Sequence, residues 1–419
     1  MSKKRASAPL SGELFDRATY AQASPRRARG VRSAPRSGSA TGDIDGEDDE
    51  GDAPEELELP FEASAPEPLE VVTAEGASIA KDAPDRDPSP PPAPVEPERQ
   101  FEYVGGVHLS GSILWADCER RQDLCFLSHA HADFAGKNRR ILATEKTVKI
   151  LTRASGKVDA LTSPYRRSFT LGPLRLEMHP AGHVLGSAQL LIERNGRRIV
   201  YTSDVSPRPS ATAEKAKPVA CDVLAIPATY GLPVYRFPPR EEVAANVQRF
   251  VERCFEDGAT PVLIAEQIGL SQELMRILGE AGMKLRVHGS IYDVAKIYRE
   301  LGVSLPNSRR FAGTPARDEV VIFPPILRKH AAIRKLKKSR TAIVSGRAIE
   351  PGFAFQQRVD EAFPLADAAD HDELLSFIQE TGAQEIYLTD GYVEEFGAEL
   401  RALGLRVFPV IPPVQLKLL

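Results

Sequence analysis

The sequence predicts an α/β body behind a long polar leader, and three observations carry that expectation. The first is a break in composition near residue 100. Residues 1–100 hold 12 basic and 21 acidic residues and 14 of the 34 prolines, so the formal charge of −4 divides into −9 for the leader and +5 for the remaining 319 residues. The second is that short apolar runs are followed at once by loops rich in histidine and aspartate. The third is an alternation of helical and strand-like periodicity from residue 236 to 389.

The leader is itself divided. Residues 1–36 carry a net +7 and residues 37–100 a net −16, with few aromatic or β-branched residues to offset the entropy lost on ordering. A disordered tail, basic then acidic, is therefore expected over 1–100. Its basic end suits either a nucleic-acid tether or a solubilising tail whose halves attract each other. The body is long enough to bury a large core without disulfides. Its cysteines, Cys118, Cys125, Cys221 and Cys254, form no C-x-x-C pair, which argues against a zinc ribbon and for reduced thiols of a cytoplasmic protein. No run of 18 apolar residues is present, so no membrane span is expected. Glu13, Asp16 and Arg17 interrupt the stretch that would have to be apolar in a signal peptide.

In the body, residues 123–128 read as a buried strand leading into His129-Ala130-His131-Ala132-Asp133-Phe134. Residues 174–178 alternate as a second strand and lead into a loop containing Gly182-His183-Val184-Leu185-Gly186-Ser187. Residues 187–193 and 197–203 form an expected hairpin turning at Asn195-Gly196, whose second strand delivers Asp204. Helices are expected over 236–257, 271–281 and 372–380, and strands near 261–265, 284–287, 341–345 and 384–389. An H-x-H pair in extended backbone places two imidazoles on one side of the chain. His183 can add a third nitrogen and Asp204 an oxygen, a nitrogen-rich donor set suited to Zn2+ and similar ions.

The pieces FLSHAHAD, HPAGHVLGSAQ and IVYTSD resemble the metallo-β-lactamase fold, in the β-CASP branch of nucleases, over about residues 103–412. Within that branch the chain is most similar to bacterial exonucleases associated with DNA ligases and to RNA 3′-end-processing factors. The resemblance implies an αββα sandwich in two parts, 101–235 and 351–419, separated by an inserted β-CASP-like α/β domain over 236–350. It implies metal ligation by His129, His131, His183 and Asp204, an orienting role for Asp117, and a second metal position that draws on Asp133 and Asp204.

The resemblance also exposes departures. Phe134 stands where the family's H-x-H-x-D-H motif ends in histidine. Pro227 replaces the acid of a T-E-A-T-F-G stretch, Ala368 the histidine of S-D-H-A-D-W-D-E-L, and Asp390 the histidine of T-H-G-R-E. Aspartate can ligate a metal but a phenyl ring cannot. The family's acid and histidine at the positions of Pro227 and Ala368 form a partnered pair near the scissile phosphate, and two small apolar residues can replace both without leaving a lone polar group buried. One Zn2+, with Mn2+ as the alternative, is expected, and a dependable second ion is not. Asp133 is expected to orient an attacking water. His371, three residues past Ala368, is a candidate substitute for the missing histidine.

Residues 328–340 carry Arg328, Lys329, Arg334, Lys335, Lys337, Lys338 and Arg340 with no acid. They suit contacts to DNA or RNA phosphates, or equally a solvated helix face with Ile333 and Leu336 beneath. The Gly346-Arg347 pair could add another phosphate contact. The expected function is a nuclease-like protein of DNA repair or RNA processing with weak or absent phosphodiester hydrolysis. A DNA ligase or other processing protein is the candidate partner. A catalytically silent nucleic-acid- or partner-binding relative and a mononuclear hydrolase of a small ester or phosphoester remain the alternatives.

Overall fold

The computed structural model describes residues 99–131 and 138–411. The leader expected to be disordered and the segment holding Asp133 and Phe134 lie outside the described residues. Among the described residues the fold is α/β, with three sheets.

The first sheet runs in chain order: β1 (Phe101–Tyr103), β2 (Val107–Leu109), β3 (Trp115–Ala116), β4 (Cys125–Phe126), β5 (Ile141–Ala143) and β6 (Ala160–Thr162). Helix α1 (Glu145–Ser155) follows β5. Its start is fixed by Thr144, whose side chain accepts from the Thr147 N–H. The second sheet begins with β7 (Phe169–Leu171), β8 (Leu174–Pro180), β9 (Ala188–Arg194), β10 (Arg197–Tyr201) and β11 (Val223–Ala228). The alternation read in residues 174–178 is the burial alternation of β8. Asn195 and Gly196 both take positive φ, 51° and 74°, as the two-residue turn between β9 and β10 requires.

Next come α2 (Arg240–Glu256), β12 (Thr260–Ile264), α3 (Leu270–Glu280), β13 (Lys284–Val287), α4 (Gly289–Glu300), β14 (Ser308–Arg310), β15 (Glu319–Phe323), α5 (Ala331–Arg334), β16 (Ser339–Val344), α6 (Phe353–Gln357) and β17 (Glu361–Phe363). Their strands make an all-parallel sheet in the order β14-β13-β15-β12-β16-β17. This sheet takes its edge strand from residues 361–363, beyond the 350 at which the insertion was expected to end. The chain then returns to the second sheet through α7 (His371–Thr381), β18 (Glu385–Gly391), α8 (Val393–Ala402) and β19 (Arg406–Pro409).

Phe126 and Leu142 of the first sheet share one apolar cluster with Met178, Leu190, Tyr201 and Tyr387 of the second, so these sheets pack face to face. Burying each such side chain stabilises by about 1.5–3 kcal/mol. The far side of the second sheet is covered by α7 and α8, through Phe377 and Phe396. The third sheet buries one face against α2, α3 and α4, through Phe250, Leu274 and Tyr298. Among the described residues its other face meets short segments around Ile333 and Phe353.

The basic stretch is not the continuous helix face that was one of its two readings. Only Ala331–Arg334 is helical, capped by the His330 side chain, and β16 has begun by Ser339. Lys338 bonds the Asp257 carbonyl oxygen and Arg340 pairs with the Asp257 carboxylate at 2.8 Å, which holds this end as strand.

Candidate metal centre

Strand ends converge here. His129 and His131 follow β4, His183 follows β8, Asp204 follows β10, and the loop after β12 approaches them. Two backbone features make the convergence possible. Gly182 has φ +79°, and a Cβ there would lie 2.1 Å from the Ser206 oxygen, so only glycine lets this loop reach Val205 and Ser206. Asp117 and Ser203 hold positive φ, 45° and 53°, although neither is glycine. Such strain is kept where surrounding contacts over-determine it, and it tends to mark functional sites.

The nitrogens of His129, His131 and His183 lie within 4.8 Å of one another. Their partners assign the ring protons. Ser128 Oγ donates to Asp117 Oδ2 at 2.7 Å and lies 2.7 Å from His129 Nδ1. With the hydroxyl hydrogen committed to the carboxylate, His129 Nδ1 carries the proton and Nε2 keeps its lone pair. His131 Nε2 sits 2.9 Å from the Ile268 carbonyl oxygen, so Nε2 donates and Nδ1 keeps the lone pair. His183 Nδ1 donates to the Asp367 carbonyl oxygen at 3.0 Å, with the Asp367 carboxylate at 3.4 Å, which leaves the lone pair on Nε2.

Three lone pairs therefore face one small region, and His131 Nδ1 and His183 Nε2 are 3.1 Å apart. A tetrahedral Zn2+ with Zn–N bonds of 2.0–2.1 Å sets ligand nitrogens about 3.4 Å apart. The His131–His183 pair lies near that spacing, and three imidazole nitrogens are donors that a nitrogen-preferring ion selects. Electrostatics agree. Burial, with the neighbouring His183, lowers the His131 pKa to about 4. Burial also opposes charge on His183, but Asp367 outweighs it and lifts this ring to about 9. A cation between the two rings, proton or metal, is what the site favours.

Asp117 is buried and accepts three hydrogen bonds: from Ser128 N at 3.0 Å, Ser128 Oγ at 2.7 Å and Tyr201 OH at 2.8 Å. Asp204 is half-buried, 3.4 Å from Thr229 Oγ1. It does not join the tight histidine group, although its charge raises both His131 and His183. Asp390 is exposed and accepts from the Gly391 N–H at 2.7 Å; it too stands outside the group.

Pro227 occupies the bulge between β11 and β18, where the pairing skips from Ile226 to Ala228 and a missing N–H costs no ladder bond. Ala368 is buried in an aromatic cluster with Tyr230 and Tyr235. His371, the candidate substitute for the missing histidine, is the first residue of α7 and stands outside the histidine group. Its ring is held 2.9 Å from both Asp372 and Glu399, against Phe396. Arg347 is likewise committed, paired with Glu350 at 2.6 and 3.0 Å.

Two contributors escaped the sequence. Asp367, which braces His183, lies beside Ala368 in the very segment that drew attention for its lost histidine; the acid of the family's S-D-H was the available signal. Ile268 acts through its carbonyl oxygen, which leaves no trace in side-chain pattern.

No family model matches the chain. It is 31% identical over 320 residues to a protein of Opitutus terrae named a probable DNA ligase, covering 76% of this chain and 32% of that protein. It is 26% identical over 186 residues to an RNase J-like protein of Methanocaldococcus jannaschii, covering 38% and 44%. It is 34% identical over 119 residues to the endoribonuclease YSH1 of Gibberella zeae, covering 28% and 14%. The chain spans less than half the length of each of these relatives. The likenesses support the metallo-β-lactamase superfamily in which the motifs had placed the sequence.

Proposed function

We propose that this chain is a nuclease-like protein of the β-CASP kind, acting on DNA or RNA, with one metal position built on His129, His131, His183 and Asp204. The convergence of three histidine lone pairs, each fixed by a partner on its other ring nitrogen, carries this reading. An ion held there would act as a Lewis acid toward a phosphoryl oxygen and lower the pKa of a water. The chain's own residues then have separable tasks. Asp117 and Ser128 keep the His129 proton on Nδ1. Ile268 and Asp367 do the same for His131 and His183. Asp133 orients the attacking water, and Asp390 is the remaining candidate for a second ion. The residues 328–340 that carry no acid supply phosphate contacts.

The second reading, a silent relative that binds nucleic acid or a partner, is favoured by the aromatic packing around Ala368 and by the engagement of His371. Groups that protonate a leaving oxygen are typically worth about 10²–10⁴-fold in rate, so slow hydrolysis is expected at most. A likeness covering 32% of a protein named a probable DNA ligase supports a DNA ligase as partner.

The test is metal analysis of the purified full chain beside a cleavage assay on single- and double-stranded DNA and RNA, with His129→Ala as control. One tightly bound Zn2+ or Mn2+ per chain is expected. Metal-dependent cleavage abolished by His129→Ala favours the enzyme, and bound metal without cleavage favours the silent relative. Protein that takes up no metal from either ion refutes the ligand assignment.

A further inference from the structure

The third sheet is covered unevenly. Among the described residues one face carries helices of 17, 11 and 12 residues, whereas the other carries α5 and α6, of four and five residues. Helices that short cannot blanket a six-stranded sheet. A cavity of about 410 Å³ opens between them, with Ile264 and Ile333 in its lining. Four cationic side chains also line it: Arg328, Lys329, Arg334 and Arg358.

Among the described residues none of the four meets a carboxylate. Arg328 reaches only the Pro325 carbonyl oxygen, at 3.3 Å, and its buried Nε has no hydrogen-bond partner. Asp360 is engaged by the Thr341 N–H and hydroxyl at 2.6 and 2.9 Å. Four like charges gathered around one concavity repel one another, and an anion relieves that repulsion. Guanidinium groups match phosphate in both charge and hydrogen-bond geometry. The volume falls within the range of small-ligand sites, about 300–1,000 Å³, and exceeds what a bare phosphate fills.

The cavity opens on the face of the third sheet around Ile333 and Phe353, where Ile264, Ser339 and Thr341 line it, whereas the histidines meet the loop beyond the end of β12.

We infer that this cavity is a second site, which binds a nucleoside phosphate, its phosphate on the arginines and its base against the isoleucine floor. The inference deepens the proposed phosphate-contact role of residues 328–340. Its ligand is either a free nucleotide or the phosphorylated end of a nucleic-acid strand.

Calorimetric titration of the full chain with adenosine monophosphate, inorganic phosphate and a 5′-phosphorylated single-stranded oligonucleotide tests it. The variant combines Lys329→Ala, Arg334→Ala and Arg358→Gly. All three residues are exposed, and the last has φ 58°, which glycine adopts without strain. Adenosine monophosphate or the oligonucleotide should bind, more tightly than inorganic phosphate, and the variant should weaken that binding at least about tenfold. Preference for the mononucleotide identifies a free nucleotide. Preference for the oligonucleotide, lost when its terminal phosphate is removed, identifies a strand end. Equal affinity for inorganic phosphate, equal binding by variant and wild type, or no binding at millimolar concentration would each overturn the inference. Metal content is read on the same samples: protein that holds its metal but binds no phosphate fails this inference and leaves the metal-site reading standing.

Discussion

Asp117→Asn is the most informative single change, because it alters a proton rather than a shape. Asp117 offers only acceptors, and the Ser128 and Tyr201 hydroxyls both donate to Oδ2, at 2.7 and 2.8 Å. In the asparagine variant the oxygen keeps the Ser128 N–H, and the amide NH2 replaces Oδ2. The Ser128 hydroxyl must then accept from the amide and turn its hydrogen toward His129 Nδ1, 2.7 Å away. That drives His129 to the other tautomer and puts a proton on the Nε2 that should bind metal. Loss of such an orienting partner typically weakens metal binding by about 10–100-fold, or about 1.4–2.7 kcal/mol. Replacing charged by neutral hydrogen bonds should also lower the stability of the metal-free protein by about 1–3 kcal/mol. Chelator competition gives the first quantity and urea unfolding the second. An Asp117→Asn protein that binds metal within about twofold of wild type would refute the tautomer argument, whatever its stability.

Other outcomes follow from the same structure. Gly269 has φ +88°, and an added Cβ would sit 2.6 Å from Asp367 Oδ2 and Val184 Cγ1; Gly269→Ala should therefore cost about 1–3 kcal/mol and loosen the brace on His183, and an unchanged urea midpoint would contradict this. His371 is buried, which opposes its charge, but its hydrogen bonds to Asp372 and Glu399 prevail and its pKa is raised. Its stabilising contribution is thus fully present below about pH 6.5 and is lost as pH rises through the folded value. The stability difference between wild type and His371→Gln should shrink between pH 6 and pH 9, and a difference independent of pH would count against the charged ring. Lys335→Ala with Lys337→Ala should weaken nucleic-acid binding uniformly across sequences and reduce the salt slope by about 2, and an unaltered slope would remove this stretch from the interface.

Elements controlled by local physics can be read from the order of residues alone. The hairpin at Asn195-Gly196, the alternation in residues 174–178 and the helices around α2, α3 and α7 were legible because each depends on turn chemistry or side-chain periodicity within a few residues. His129, His131 and His183 were legible as metal-ligand candidates because imidazoles of that spacing at strand ends have few other uses. Tertiary structure decided what depends on residues far apart in the chain. The tautomer of His131 is set by a carbonyl oxygen 137 positions away, and His183 is braced by Asp367 across 184. His371 looked available until the fold paired it with Glu399, 28 residues on. The basic stretch read as a possible helix because its period is compatible with one; only Ala331–Arg334 is helical, and the stretch's last two residues, Ser339 and Arg340, open a strand beside Asp257. Periodicity reports the face a residue prefers, whereas proton placement and charge pairing are fixed only when distant chain segments bring their oxygens to a particular nitrogen.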